Sequence, residues 1–243
     1  MRLIDSQGIK LGAWFLARPI AHRGLHDRSV GAIENSMTAF KRAVESGYAI
    51  ELDVQPSADG DPMVFHDPTL DRLTEAHGAI DALSTEHLSK IALLGTDDRV
   101  VSLETVLKAI GGTVPVFVEL KSDTQDESLK TQMAKSTACL AAQYRGRVAV
   151  MSYDPSLITS NFFNAPRGVI VKSVADRQQV LPEYAIDFCS VDKSIYKNKV
   201  IQKARSKGLP VITWTIISEK EAQDAAAWVE QITFERFFPG VMV

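Results

Sequence analysis

The stretch AIELDVQPSADGDPMVFHD, from Ala49 to Asp67, holds two apolar runs joined by a short polar connection. In the first run Glu51 and Asp53 stand two residues apart. A strand's period of two puts both carboxylates on one face and Ile50, Leu52 and Val54 on the other. The connection Pro56–Pro62 is too short for a helical crossover, because parallel neighbours need about a dozen or more linking residues. Its Asp59-Gly60 pair signals a hairpin turn instead. A turn centred between Ala58 and Asp59 sets Glu51 opposite His66, and opposed residues share a face.

Outward from this stretch, apolar β-branched runs recur at Pro19–His22, Ala49–Val54, Met63–Phe65, Val116–Leu120, Val148–Ser152, Gly168–Lys172, Ile186–Val191, Pro210–Thr215 and Gln231–Thr233. Segments of helical period lie between most of them. Ser36–Ser46 gathers Met37, Phe40, Ala43 and Val44 on one face; Glu127–Tyr144, Asn198–Lys207 and Glu219–Val229 are further helices. Strands alternating with helices indicate βαβ units and a parallel sheet. With the hairpin strand set aside, the tally fits an α/β fold of TIM-type (β/α)8 architecture, with an open doubly wound sheet as the alternative. Pro68–Val101 differs in texture, polar with one short helix near Thr85–Ala92. It reads as a small insertion at about 68–101, after the third candidate strand, within a single domain spanning 1–243.

Composition narrows the function. The 243 residues are 45% hydrophobic and 23% charged, with a formal net charge of −3. That balance offers no electrostatic footprint for nucleic acid or anionic lipid. No run approaches the roughly 20 apolar residues of a membrane span. Met1–Leu16 carries Arg2, Asp5 and Lys10 among short apolar pieces and lacks a signal peptide's continuous apolar region, so a cytoplasmic enzyme is expected. Cys139 and Cys189 have no metal or redox spacing and are expected to be reduced core residues.

Several charged residues stand where packing does not require them. Glu51 and Asp53 have no local Lys or Arg, and their repulsion is relieved by a hard divalent cation such as Mg²⁺ or Ca²⁺; two solvated carboxylates on a sheet edge are the plain alternative. VFVELK, 116–121, sets Glu119 and Lys121 on one face, either as an ion pair or as a third oxygen ligand with a cation for an anionic substrate. His22-Arg23-Gly24 and His66-Asp67 close two runs. Arg23 offers a planar fork suited to phosphate oxygens, and a histidine carries protons near neutral pH. His26, His77 and His87 read as surface residues.

Taken together, His22-Arg23-Gly24, Glu34-Asn35, Glu51-x-Asp53, His66-Asp67, Glu119-x-Lys121 and Trp214-Thr215 resemble the glycerophosphodiester phosphodiesterases in order and approximate spacing, from Pro19 to about Thr215. The resemblance implies a TIM-type barrel that hydrolyses a small-molecule phosphodiester to glycerol 3-phosphate and an alcohol with one divalent cation, Mg²⁺ or Ca²⁺. It implies Glu51, Asp53 and Glu119 as metal ligands and His22 and His66 as the acid–base pair. It implies Arg23 and Lys121 as phosphate contacts, with Glu34, Asn35 and Trp214 also on the substrate. The sequence departs from the family pattern at Ile33, at Ile217 and at Thr233-Phe234-Glu235, which bear on the far wall of the pocket. A phospholipase D-like enzyme acting on lysophospholipid or sphingolipid head groups fits the same catalytic set. A glycosidase needs only a carboxyl pair and leaves the histidines and cations without a role. A non-catalytic binding barrel leaves every expected catalytic position filled to no purpose. The sequence carries no sign of oligomeric state.

Overall fold

The computed structural model describes residues 3–4, 10–159, 162–173, 175 and 186–240; part of the Met1–Leu16 stretch lies outside them. Eight parallel strands close into a barrel. They are β1 (Ile20–Ala21), β2 (Ala49–Pro56), β3 (Val116–Leu120), β4 (Val148–Ser152), β5 (Arg167–Val171), β6 (Phe188–Asp192), β7 (Val211–Ile216) and β8 (Gln231–Phe234). Each pairs with the next, and β8 returns to β1 with Thr233 beside Ile20 and Phe234 beside Ala21. The (β/α)8 expectation is therefore met, and the open sheet is not.

Alternation along the strands divides the core in two. Ile50, Leu52, Val54, Val116 and Val118 point outward into a layer shared with the helices. Those include α1 (Met37–Glu45), α2 (Leu103–Ile110) and α3 (Glu127–Gln143), started by the side chains of Ser36, Ser102 and Asp126, which accept from backbone N–H groups of the first turn. Such caps contribute about 0.5–2 kcal/mol each. Ile20, Ala49, Phe117, Ala149, Ile170, Phe188 and Ile212 point inward and fill the lower barrel. The short 3-10 turn Ala13–Phe15 plugs this floor, with the Phe15 ring 4.8 Å from Phe188 and 5.2 Å from Phe117. A Cβ on Gly168 would lie 2.2 Å from the Phe188 ring, so the missing side chain on β5 makes room for the aromatic of β6.

The strand Pro62–Val64 runs antiparallel to β2, as the hairpin signal indicates. Its register is one residue from the expected one: Val54 faces Val64 and Gln55 faces Met63. Continued, that register would set His66 against Leu52, on the outer face. The chain leaves the ladder after Phe65, whose N–H donates to Asp53 O at 3.1 Å, and Gln55 Nε2 then holds His66 O at 3.1 Å. His66 reaches the barrel mouth by this departure, not by pairing. Between Pro68 and Val100 the chain forms a 3-10 turn at Ile80–Ala82 and the short helix Thr85–Leu88. It buries Leu70, Leu73, Ile80, Leu88 and Leu93 against Met63 and Phe65. Val101–Ser102 then pairs antiparallel with Pro62–Val64 and leads into α2.

Cys189 is buried on β6, but Cys139 is exposed, correcting the expectation of two core thiols. α3 buries Met133, Ala134, Thr137 and Ala138, which leaves position 139 on its outer side. No helix among the described residues is long and apolar enough to cross a membrane. Because Phe15 closes the floor by side-chain packing, Phe15→Ala is expected to cost about 3–5 kcal/mol in denaturant unfolding. A loss below about 1 kcal/mol would remove the plug from the stability of the barrel.

Candidate active site

The inward face changes character toward the carboxyl ends of the strands. β2 and β3 pair with Asp53 beside Glu119, and Glu51 lies one inward position below Asp53. The three carboxylates are 2%, 1% and 8% exposed for Glu51, Asp53 and Glu119. One oxygen of each lies within 4.8 Å of the other two. Around them stand the neighbours that make the cluster tolerable. Arg23 N–H donates to Glu51 Oε2 at 2.9 Å, and Arg23 Nε lies 3.3 Å from Asp53 Oδ2. Lys121 Nζ donates to Glu119 Oε1 at 2.8 Å and lies 3.5 Å from Asp53 Oδ1. Asn35 Nδ2 donates to Asp53 Oδ2 at 2.9 Å. The turn that aims the Arg23 N–H uses left-handed backbone at Arg23 (φ 55°) and Gly24 (φ 80°), and a Cβ at Gly24 would sit 3.0 Å from Ala39.

The charges do not balance evenly. Burial, then the charges of Asp53 and Glu119, raise the Glu51 carboxyl well above the usual range. Burial and Asp53 push Glu119 up to about 7 despite Lys121. Asp53 is held low, because Lys121 and Arg23 more than offset its burial. Three clustered oxygen donors of which two resist ionisation are short of positive charge. An all-oxygen set of this kind suits a hard divalent cation, so the residues fit such an ion.

His22 and His66 both line a cavity of about 230 Å³ above the trio, with Arg23, Glu51, Glu119, Lys121, Tyr153, Lys172 and Trp214 in its wall. Each histidine has its Nδ1 engaged by a carboxylate: His22 with Glu235 Oε2 at 3.1 Å, His66 with Asp67 Oδ1 at 2.6 Å. Nε2 remains as the ring nitrogen open to a bound group. Burial holds His22 below its ordinary value, with Glu235 pulling the other way. Trp214 stands edge-on to Tyr153 at 6.2 Å, and its buried Nε1 has no acceptor among the described residues. Alternation on β7 sets Thr215 on the opposite face from Trp214, yet both line the cavity, because the register with β8 shifts between Thr213 and Ile216.

Glu34 and Asn35 sit differently from the other expected site residues. Asn35 is 2% exposed and spends its amide on Asp53, accepting from Asp53 N at 3.3 Å as well as donating. Glu34 takes Arg23 Nη1 at 2.6 Å and Arg72 Nη2 at 2.7 Å. Arg72 also donates Nη2 to Asp67 Oδ1 at 2.9 Å, so one run of ion pairs links His66, Asp67, Arg72, Glu34, Arg23 and Asp53. Arg72 and Tyr153 escape the sequence reading, and Glu235 enters it only as a departure from the family pattern, with no role at His22. That role was within its reach, since Glu235 continues the period of two set by Gln231 and Thr233 one residue past the end of β8. Arg72 was not, being one cation in a polar insertion. His26, expected at the surface, is only 19% exposed, with Nε2 3.4 Å from Glu235 Oε2.

Arg72 and Arg23 outweigh the burial of Glu34 and lower its carboxyl to about 2. Stability from this carboxylate is present above its unfolded value and is lost as pH falls through the folded one. Wild type is therefore expected to exceed Glu34→Gln by of order 1–3 kcal/mol at pH 7. The gap should close between about pH 5 and pH 2 in denaturant titrations; a gap independent of pH would contradict the pairing.

The chain is similar in sequence and in fold to known phosphodiesterases. The Bacillus subtilis protein YhdW is 25% identical over 221 residues, covering 84% of this chain and 87% of its own. A glycerophosphodiester phosphodiesterase of Caldanaerobacter subterraneus is 45% identical over 111 residues, 42% of this chain and 44% of its own length. Among solved structures, an Oleispira antarctica phosphodiesterase in complex with the product sn-glycerol-3-phosphate superposes with a TM-score of 0.79 at 21% identity, over 91% of this chain and 93% of that one. The model of the glycerophosphoryl diester phosphodiesterase family matches residues 22–235, from His22 on the turn after β1 to Glu235 after β8, and the chain belongs to that family.

Proposed function

We propose that this phosphodiesterase hydrolyses glycerophosphodiesters to glycerol 3-phosphate and an alcohol, with a divalent cation held by Glu51, Asp53 and Glu119 and with His22 and His66 as proton carriers. The observation that carries the reading is the pairing of two histidines, each tied through Nδ1 to a carboxylate, over one buried trio of oxygen donors. When bound, the cation supplies Lewis-acid polarisation of a phosphoryl oxygen. On this reading the whole chain is one catalytic domain whose 68–101 insertion supplies Arg72, which braces Glu34 and Asp67 behind the site.

The chain's own residues do the remaining work. Arg23 and Lys121 present N–H donors from two sides of Asp53 and offset the charge of a phosphodiester monoanion. Nδ1–H donated to Glu235 or Asp67 fixes the tautomer in which Nε2 accepts a proton. One histidine takes the proton of the attacking hydroxyl or water at Nε2, and the other, protonated, gives its Nε2 proton to the departing alkoxide. Trp214 offers a flat apolar face for the glycerol carbons, held upright by Tyr153. Asn35 and Glu34 act one step back, orienting Asp53 and Arg23. The phospholipase D-like alternative calls for an apolar mouth, whereas this wall sets His22, Arg23, His66, Lys121 and Lys172 beside Met151, Tyr153, Ile170 and Trp214.

The test is release of glycerol 3-phosphate from a panel of glycerophosphodiesters, read with a coupled dehydrogenase. Activity is expected to vanish in EDTA and to return with Mg²⁺ or Ca²⁺. His22→Ala and His66→Ala should each lower kcat by roughly 10²–10⁴, and Trp214→Ala should raise KM with little change in Tm. Turnover indifferent to EDTA, or near normal in His66→Ala, would refute the mechanism.

A further inference from the structure

Behind His22, away from the carboxylate trio, lies a second cavity of about 660 Å³ that shares His22 and Arg23 with the first. His26 and Glu235 are in its wall, and neither lines the phosphate-side cavity. Two imidazole nitrogens converge there on one oxygen. Glu235 Oε2 is 3.1 Å from His22 Nδ1 and 3.4 Å from His26 Nε2. The three atoms all lie within 4.8 Å of one another. His26 Nε2 is buried and meets Glu235 Oε2 only at 3.4 Å, a long approach that holds the nitrogen loosely. A buried ring nitrogen left in this way calls for another partner.

The separations identify that partner's chemistry. Tetrahedral coordination with bonds of about 2.0–2.1 Å places ligand atoms roughly 3.3–3.4 Å apart. The two separations from Glu235 Oε2 fall within 0.3 Å of this spacing, and the two nitrogens lie within 4.8 Å of each other. Two nitrogens and one carboxylate oxygen suit borderline transition ions, whereas Mg²⁺ and Ca²⁺ prefer oxygen alone. The surroundings add a charge constraint. Arg236 Nε lies 3.3 Å from Glu235 Oε1, and Arg28 and Arg42 stand in the same wall against Asp27. These cations oppose any divalent ion and are themselves offset by Asp27, Glu34 and Glu235, so an ion here depends on its bonds to the two nitrogens more than on net negative charge. The cavity itself supplies room for the fourth ligand, a water.

We infer that His22, His26 and Glu235 form a second metal site, selective for Zn²⁺-like ions and separate from the carboxylate trio, whose occupation inhibits the enzyme. Binding forms bonds from the metal to His22 Nδ1, His26 Nε2 and Glu235 Oε2; the Nδ1 proton of His22 passes by way of solvent to its Nε2, so the ring ligates as a neutral imidazole and the nitrogen that would accept a proton is taken. Glu235 no longer accepts from His22, and the imidazole is fixed by the metal instead. The inhibition rests on the proton-carrying role proposed for His22; the binding does not.

The test is calorimetric titration of the full chain with ZnCl₂ under saturating Mg²⁺, which keeps the carboxylate trio occupied, with no substrate present. One Zn²⁺ per chain is expected. His26→Gln should weaken it by at least tenfold, since even residues that only support a metal ligand contribute about 10–100-fold. Its Mg²⁺-dependent turnover should stay near wild type while Zn²⁺ inhibition is lost, and an unchanged Tm confirms the fold. Independently, Co²⁺ added to the wild-type protein under the same Mg²⁺ should give the intense visible bands of a tetrahedral ion, and His26→Gln should lose them. Absence of Zn²⁺ binding, or equal binding to wild type and His26→Gln, would overturn the proposal. Zn²⁺ binding that depends on His26 but leaves turnover unaffected would retain the site and reject His22 as a proton carrier.

Discussion

Three carboxylates buried at one end of a closed barrel are the constraint on which the rest of this structure depends. Glu51, Asp53 and Glu119 are almost wholly buried and crowd a space that like charges do not accept. Charged groups buried in this way persist only when other charges or hydrogen bonds reach them. Arg23, Lys121 and Asn35 are therefore structural necessities before they are functional ones. Their own positions propagate the demand outward. Arg23 requires Glu34, Glu34 draws in Arg72, and Arg72 draws in Asp67 and with it His66. The insertion is thus tied electrostatically to the centre of the barrel as well as packed on its edge.

Why the trio sits on β2 and β3 follows from the same alternation that builds the core. Inward positions low in the barrel carry Ala49 and Phe117, closed off by Phe15. One or two inward positions higher, the same strands carry Glu51, Asp53 and Glu119. The apolar floor keeps water out from below, while the charged mouth faces it from above. Replacing the floor with polar groups would raise the local dielectric and weaken the field at the trio.

The sequence made most of this legible, because it is written in short periods. The carboxylates at i and i+2, the strand–helix alternation and the hairpin at Asp59-Gly60 all depend on neighbours within a few residues. The antiparallel return of Pro62–Val64 followed from that local chemistry; its register, off by one, did not. Turn geometry with Gly60 at φ 77° sets the register, and no pattern of hydrophobicity reports it. The residues missed are those whose partners lie far away in sequence. Arg72 acquires meaning only beside Glu34 and Asp67. His26 looked like a surface residue because its burial is made by Glu235 and the chain around Phe237, more than 200 residues on. Cys139 was misplaced for the reverse reason: an apolar local context says little when a helix shows that side to solvent.

The same separation shapes how the site comes into being. His22 follows β1 and Glu235 follows β8, and their contact spans 213 residues. It forms where the barrel closes: His22 N–H donates to Phe234 O at 3.0 Å, in step with the pairing of Thr233 and Phe234 to Ile20 and Ala21. A chain with seven strands assembled and β8 unpaired would hold Glu51, Asp53, Glu119 and Lys121 together on β2 and β3, since those contacts are between neighbouring strands. It would lack the carboxylate that sets the His22 tautomer. Non-local closure of this kind is entropically costly and comes late when nearer contacts are available. The acidic centre is built between neighbouring strands, whereas the proton-transfer geometry at His22 is complete only once the barrel is shut.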